Sequence, residues 1–202
     1  MRELLNLCIT LEQYHRSAMT IILMRHGKPD HPVNGRFSAR ALADWCEGYD
    51  QADICDSPPP RSQTIARLAS VIATSPLPRA RSSLTRLGLQ PHAVDEVFSE
   101  VAIPTLPFER LHLPLNVWLA LLRLLWLCGY SGHVESVQHA RQRARLAADK
   151  LVTLSQQGTV LLVGHGIMNK LIARELRKRG WQAEKHASSR HWSSAIYHRP
   201  FI

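Results

Sequence analysis

A chain of 202 residues with 45% hydrophobic content can bury one sizeable core and is too short for two ordinary domains and a linker. Its 25 Lys and Arg against 16 Asp and Glu give a net charge of +9, which favours anionic ligands. The basic residues are spread along the chain, aromatics are 6% and no nucleic-acid-binding module appears, so nucleic acid is not the expected partner.

Residues 1–18 hold a short apolar cluster (Leu4, Leu5, Leu7, Ile9, Leu11) broken by Asn6 and Thr10. Glu12 follows it and no small-residue cleavage site is evident, so it makes a poor secretory signal. Met19 stands immediately before the first strand, and the reading is a leader over 1–18, dispensable if translation begins at Met19, followed by a single domain over 19–202. Ile21 to Met24 form an apolar run without polar alternation, a buried strand, and Gly27 with Pro29 marks the turn after it. Arg25 and His26 thus stand at a strand's carboxyl end, where open α/β sheets bind ligands. An Arg fork beside a His suits a site that holds a phosphate and presents a nitrogen to attack it.

Lys28 to Arg36 reads as a Pro and Gly loop, and Ser38 as the cap of a helix running to about Glu47, with Ala41, Leu42 and Trp45 on one face. Asp53 to Pro60 is a second loop, Arg61 to Leu68 a short helix, and Ser70 to Thr74 a second strand whose end delivers Arg79 toward the sheet edge that carries His26. His92 to Ile103 has strand-like pieces and carries Glu96 and Glu100.

Pro114 to Leu127 is rich in Leu and Trp around a single Arg123. It is too short and broken to span a membrane, and reads as a buried or lid-like helix ended by Gly129. Trp118, Trp126 and Tyr130 are candidates to shape a substrate's organic portion, with core packing the alternative for either Trp. Val134 to about Gln157 has helical apolar spacing, with Arg141, Arg143, Arg145 and Lys150 on a solvated face. Thr159 to Val163 is a third strand, followed by His165 and an amphipathic helix through Leu176 whose free N–H groups can point at the same anion as His165. Ser194 to His198 is expected as a last strand at the sheet's margin.

The four cysteines, Cys8, Cys46, Cys55 and Cys128, lack paired spacing and read as buried or free thiols in a reducing compartment, so the expected location is cytoplasmic. Among 11 histidines, His186 and His191 come nearest to ligand spacing. No Cys pair or HExxH accompanies them, and no metal site is expected.

Three short stretches carry the functional reading: Arg25-His26-Gly27, Ser75-Pro76-Leu77-Pro78-Arg79-Ala80, and Gly164-His165-Gly166. Each follows a strand and each places a basic residue just past its end. In this order, over roughly residues 20 to 198, they resemble the histidine phosphatase superfamily, the phosphoglycerate mutase-like group. The resemblance implies a three-layer α/β/α sandwich with a mostly parallel central sheet, helices on both faces and a helical insert, here about residues 101–133, over the site. It also implies a phosphohistidine nucleophile at His26, phosphate binding by Arg25, Gly27 and Arg79, a second phosphate-binding imidazole at His165, and an acidic proton donor after the Arg motif. Glu100 in Phe98-Ser99-Glu100-Val101 is the better candidate for that donor. The glycine and tryptophan usual downstream are replaced by Ala102-Ile103-Pro104, which leaves Glu96 and even Glu109 in contention.

A phosphate monoester dianion repels nucleophiles, so its oxygens must be neutralised while one attacking group is held in line. Arg25, Arg79 and His165 are suited to that, and because these cations are side chains no cofactor or metal is called for. The leading expectation is a phosphatase acting on a small phosphorylated metabolite or a phosphoprotein, with inorganic phosphate as product and no membrane partner. A mutase of the same family is the second reading, although its basic, tyrosine-rich substrate loop is not found. An inactive phosphate-binding adaptor is the third.

Overall fold

The computed structural model describes residues 18–106, 110–185 and 188–200; the leader up to residue 17, Cys8, Glu109 and His186 lie outside them. The apolar runs read from the sequence become the middle of a six-stranded sheet. Its strands are β1 (Ala18–Arg25), β3 (Val71–Thr74), β4 (Ala93–Val94), β6 (Val160–Gly164), β7 (Gln182–Lys185) and β8 (Ser194–Pro200), in the order β4-β3-β6-β1-β8-β7. β4, β3, β6 and β1 are parallel, and β8 runs antiparallel to β1 and to β7. The registers Arg25 opposite Gly164 and Thr74 opposite Val163 bring the carboxyl ends of β1, β6 and β3 level along one edge.

Alternate residues of these strands face opposite layers, as the period of a strand requires. Ile21, Leu23, Val71, Ala73, Val160 and Leu162 pack with the helices α5 (Val137–Leu154) and α6 (Gly166–Lys178). Ile22, Met24, Ile72, Leu161 and Val163 pack with α2 (Pro60–Ala66) and α3 (Pro78–Leu87). The molecule is therefore an α/β sandwich on a mixed, mostly parallel sheet. A third apolar cluster joins α1 (Ala39–Gln51), through Ala39, Leu42 and Trp45, to α4 (Leu115–Leu127), through Leu115, Trp118 and Leu122. A two-stranded ribbon of β2 (Arg36–Phe37) and β5 (Leu113–Pro114) frames that cluster.

The structure departs from the sequence reading in places. β8 is not marginal: β7 covers it, and β7 was missed because Gln-Ala-Glu-Lys has one apolar residue and reads as polar loop. Such a composition suits an edge, where charge discourages further pairing. α1 continues to Gln51, four residues beyond the expected end, and Cys128 is a free, exposed thiol at the end of α4. No helix among the described residues is long and apolar enough to cross a membrane.

Candidate active site

The turn after β1 is fixed by its backbone. The His26 N–H donates to the Gly164 carbonyl at 3.0 Å, tying it to the end of β6. His26 Nδ1 lies 2.7 Å from the Gly27 carbonyl oxygen, which can only accept, so Nδ1 carries the proton and Nε2 keeps its lone pair. His26 is 2% exposed. Burial first, then the adjoining His165, lower its pKa well below the usual imidazole value; the Gly27 carbonyl pulls the other way, and the guanidinium groups of Arg79 and Arg25 add smaller lowering effects. The imidazole is neutral at pH 7.

Gly27 was expected to bind phosphate, and the structure gives it other work. Its N–H donates to Ser83 Oγ at 2.8 Å and its carbonyl takes the His26 proton, so its backbone groups are committed. What the position needs is the absence of a side chain, since a Cβ would stand 2.6 Å from the Trp192 indole and 2.7 Å from an Asp56 oxygen.

The two guanidinium groups and the second imidazole arrive from separate elements. Arg79, in the first turn of α3, is 1% exposed. Its Nη1 donates to the Tyr49 carbonyl at 3.1 Å and to Asp50 at 3.0 Å, and its plane lies 4.7 Å from the centre of the Tyr49 ring. Arg25 donates to the Ser189 carbonyl. His165 is completely buried at the start of α6, with its ring 5.1 Å from that of His26. Its Nε2 meets the Ser75 hydroxyl at 2.6 Å, while its Nδ1 is buried and has no partner. Burial, then Arg79 and Arg25, lower the His165 pKa well below the imidazole value. If Ser75 donates to Nε2, Nδ1 carries the proton and is a neutral donor. The Nε atoms of Arg25 and Arg79 are likewise buried without partners. Unpaired buried donors are costly, and the two guanidinium Nε–H groups beside the imidazole pair suit an anion as their acceptor.

Of the acidic candidates, the structure places Glu100 at this site and Glu96 on the exposed rim, where it accepts from the Ser99 hydroxyl at 2.9 Å. Glu100 Oε1 accepts from the N–H groups of Val101 (3.0 Å), Ile167 (3.2 Å) and Met168 (3.0 Å), and Oε2 from Ile167 (3.1 Å). Two amides of the first turn of α6, those of Ile167 and Met168, are thus taken by this carboxylate, which complements the positive end of the helix. An unmade Cβ on Gly166 would touch both Arg25 and Glu100, at 3.6 and 3.7 Å, so the carboxylate and guanidinium flank one point of backbone.

Several contributors were not legible beforehand. Arg143, assigned to a solvated face, instead pairs with Glu135 and donates to the Ser99 carbonyl at 2.6 Å and the Val97 carbonyl at 3.3 Å, bracing the segment that carries Glu100. His191 sets a third imidazole 5.3 Å from His26, and Ser83 and Tyr49 hold the turn and Arg79. Only their tertiary neighbours distinguish them, and the sequence carried no signal for any of the four.

Arg25, Arg79, Glu100 and His165 line a cleft of about 1310 Å³ that runs out between α1 and α4. Trp118 and Trp126, candidates to touch substrate, are buried elsewhere: Trp118 donates to the Phe37 carbonyl at 2.7 Å and Trp126 to the Glu135 carbonyl at 2.8 Å. Tyr130 is tied to the Thr105 carbonyl and is not part of the lining. Indole rings at helix spacing fill the cores, while Leu115, Leu119, Ala120 and Arg123 of α4 line the cleft together with residues before the helix such as Val101 and Ile103.

The sequence matches the profile of the histidine phosphatase superfamily (branch 1) over residues 21–196. Comparison with curated proteins gives no match. Among solved structures, the chain is similar to an open-reading-frame product of Mycobacterium tuberculosis, Rv3214, at 18% identity and a TM-score of 0.59, covering 91% of this chain and 95% of that one. It is similar to a mycobacterial glucosyl-3-phosphoglycerate phosphatase complexed with VO3 at 20% identity and 0.56, covering 92% and 98%. The phosphoserine phosphatase of Entamoeba histolytica gives 15% identity and 0.53, covering 88% and 89%. At these identities the likeness is one of fold.

Proposed function

This chain belongs to the histidine phosphatase superfamily (branch 1), and on that premise we propose that it hydrolyses phosphate monoesters through a phosphohistidine formed on Nε2 of His26. One observation carries the reading: two neutral imidazoles 5.1 Å apart share a buried site with two guanidinium groups whose Nε atoms lack acceptors. Arg25, Arg79 and the His165 donor neutralise the phosphoryl oxygens, which lets an uncharged nucleophile approach phosphorus. The His26 lone pair forms the N–P bond as the ester P–O bond breaks, and Glu100, entering the cycle as the carboxylic acid with Oε1 still accepting the α6 amides, gives its Oε2 proton to the departing alkoxide. Water then attacks phosphorus, Glu100 takes the water's proton, and the N–P bond breaks to release inorganic phosphate and restore His26.

The fixed tautomer is what makes His26 the attacking group, because the Gly27 carbonyl holds the proton on the far nitrogen. The cations are supplied by the chain, and the substrate is a small phosphorylated metabolite or a phosphoprotein. Alkaline quenching during turnover of p-nitrophenyl phosphate, with the acid-labile N–P bond kept above pH 10, should trap a phosphohistidine that is absent in His26→Ala. Normal turnover by His26→Ala would overturn the nucleophile assignment. An isomerised phosphoester without free phosphate would identify a mutase, and phosphate binding without a trapped intermediate an adaptor.

A further inference from the structure

Residues 188–193, which lead into β8, are bonded to the His26 turn at several points. The Arg25 N–H donates to the Ser193 carbonyl at 2.9 Å, and the Trp192 N–H to the carbonyls of Arg25 (3.1 Å) and His26 (3.4 Å). The Ser62 hydroxyl of α2 donates to the Trp192 carbonyl at 3.0 Å. Among the described residues Trp192 alone joins a side chain to a positive φ, +61°. A bulky residue in the left-handed region is strained and persists only where its surroundings dictate it, and this one sets the residue before it, His191, against the nucleophile. The two rings are 5.3 Å apart, and His191 Nδ1 lies 3.3 Å from the His26 carbonyl oxygen. That oxygen only accepts, so Nδ1 carries the proton and Nε2 keeps a lone pair. Nε2 has no partner among the described residues, and the residue lines the cleft with Arg25, Arg79 and His165.

Burial and then Arg25 lower the His191 pKa, with a smaller push from Lys28, while the His26 carbonyl and Asp56 pull it up less than these push it down. The imidazole is therefore neutral at pH 7 with the cleft empty of anion, and its Nε2 is an acceptor facing a site made for acceptors. A dianion seated against His26 reverses this balance. It brings negative charge to the imidazole, and it neutralises Arg25, the cation that most opposes protonation. A group beside the nucleophile stands on the opposite side of phosphorus from the leaving oxygen, so its reach is to the phosphoryl oxygens and not to the proton transfer given to Glu100.

We propose that His191 is a further phosphate-binding residue, one that takes up a proton as the dianion enters and holds a phosphoryl oxygen through Nε2–H while Nδ1–H stays on the His26 carbonyl. The proton comes from solvent and returns to it when inorganic phosphate leaves, so the N–H bond is the only one made and broken at this residue. The inference rests on the phosphatase reading above and adds a titrating member to its fixed cations. Uptake of one proton makes affinity fall as pH rises above the imidazole's own pKa, by up to about tenfold per pH unit.

Sulfate is the probe, a tetrahedral dianion that neither titrates near neutral pH nor turns over. Calorimetric titration at pH 6, 7 and 8, in paired buffers of different ionisation enthalpy, gives both its affinity and the protons taken up with it. His26 and His165 also face the anion, so the reading is the difference between the unaltered protein and His191→Gln, which can donate a hydrogen bond but takes no proton. Uptake at pH 7 should be smaller in His191→Gln by about half a proton or more, and the ratio of affinities at pH 6 and pH 8 smaller by about 10- to 100-fold. His191→Phe, which keeps a ring against His26, should show the same loss of uptake with weaker binding at pH 6, and carries the test if the glutamine variant does not fold. Equal uptake and equal pH profiles in all three proteins would overturn the inference. So would an equal weakening at every pH, which is what a residue that only props the His26 carbonyl produces. Failure of the reading beneath it looks different: no turnover of p-nitrophenyl phosphate and no phosphohistidine in the unaltered protein, whatever sulfate does.

Discussion

The Ser83 hydroxyl accepts the Gly27 N–H at 2.8 Å while donating to the Arg79 carbonyl at 2.6 Å. One buried side chain from the second turn of α3 thereby fixes the distance between the turn that orients His26 and the helix that carries Arg79. Removing it leaves a buried N–H without an acceptor, at a cost of about 1–3 kcal/mol. Ser83→Ala should therefore lower the urea midpoint accordingly and lower kcat for p-nitrophenyl phosphate, because the His26 turn loses its tether. An unchanged midpoint with unchanged kcat would show that the hydroxyl only fills space.

The two imidazoles make stability depend on pH. In the folded protein burial lowers the pKa of His26 and of His165 well below 6.5, while in the unfolded chain both titrate near that value. Below about pH 6.5 the unfolded state binds protons that the native state does not, so stability falls as pH falls, by about 1.4 kcal/mol per pH unit for each imidazole until its native pKa is reached. Above about pH 7 this contribution is constant. Asp95, whose pKa is lowered chiefly by its hydrogen bond from Lys150, adds its own loss only below about pH 4. Urea unfolding at pH 8, 7, 6 and 5 should show a plateau and then a decline, and a rise in stability between pH 6.5 and 5.5 would contradict the assigned neutral forms.

Glu100 has two duties, at the cleft and at the start of α6, and one substitution addresses both. Glu100→Gln keeps the shape and replaces one acceptor oxygen by an NH2 group facing backbone donors. The expected cost is about 1–2 kcal/mol of stability from the weakened cap. Turnover of alkyl phosphates should fall by about 100-fold or more, and that of p-nitrophenyl phosphate by much less, because its leaving group needs no proton. Equal losses on both ester classes would remove Glu100 from proton transfer and leave it a cap.

How much of this was legible in the sequence follows from range. Ile21–Met24 and Val160–Val163 announce buried strands because a strand covered on both faces must be apolar throughout, and basic residues past their ends mark the ligand edge. Arg25, His26, Arg79 and His165 were therefore placed together, as the structure has them. β7 was missed because an edge strand obeys the opposite rule. Arg143 was misread because its partners, Glu135 and the carbonyls of Val97 and Ser99, lie in loops whose approach to α5 is set only by the folded chain. Glu100 could be proposed as an acid from its neighbourhood, yet its bonds to α6 join residues 67 and 68 positions apart, with no local pattern to show them.

The Arg79 guanidinium rests on the Tyr49 ring, and that ring stacks on Trp45 at 5.0 Å, in the helix that also packs against α4. α1 is thus a common wall of one cleft, touching Arg79 at one end and α4 at the other. A change that repacks α1 against α4 therefore presses on the Arg79 guanidinium through two aromatic plates, so the two ends of the cleft cannot be remodelled independently.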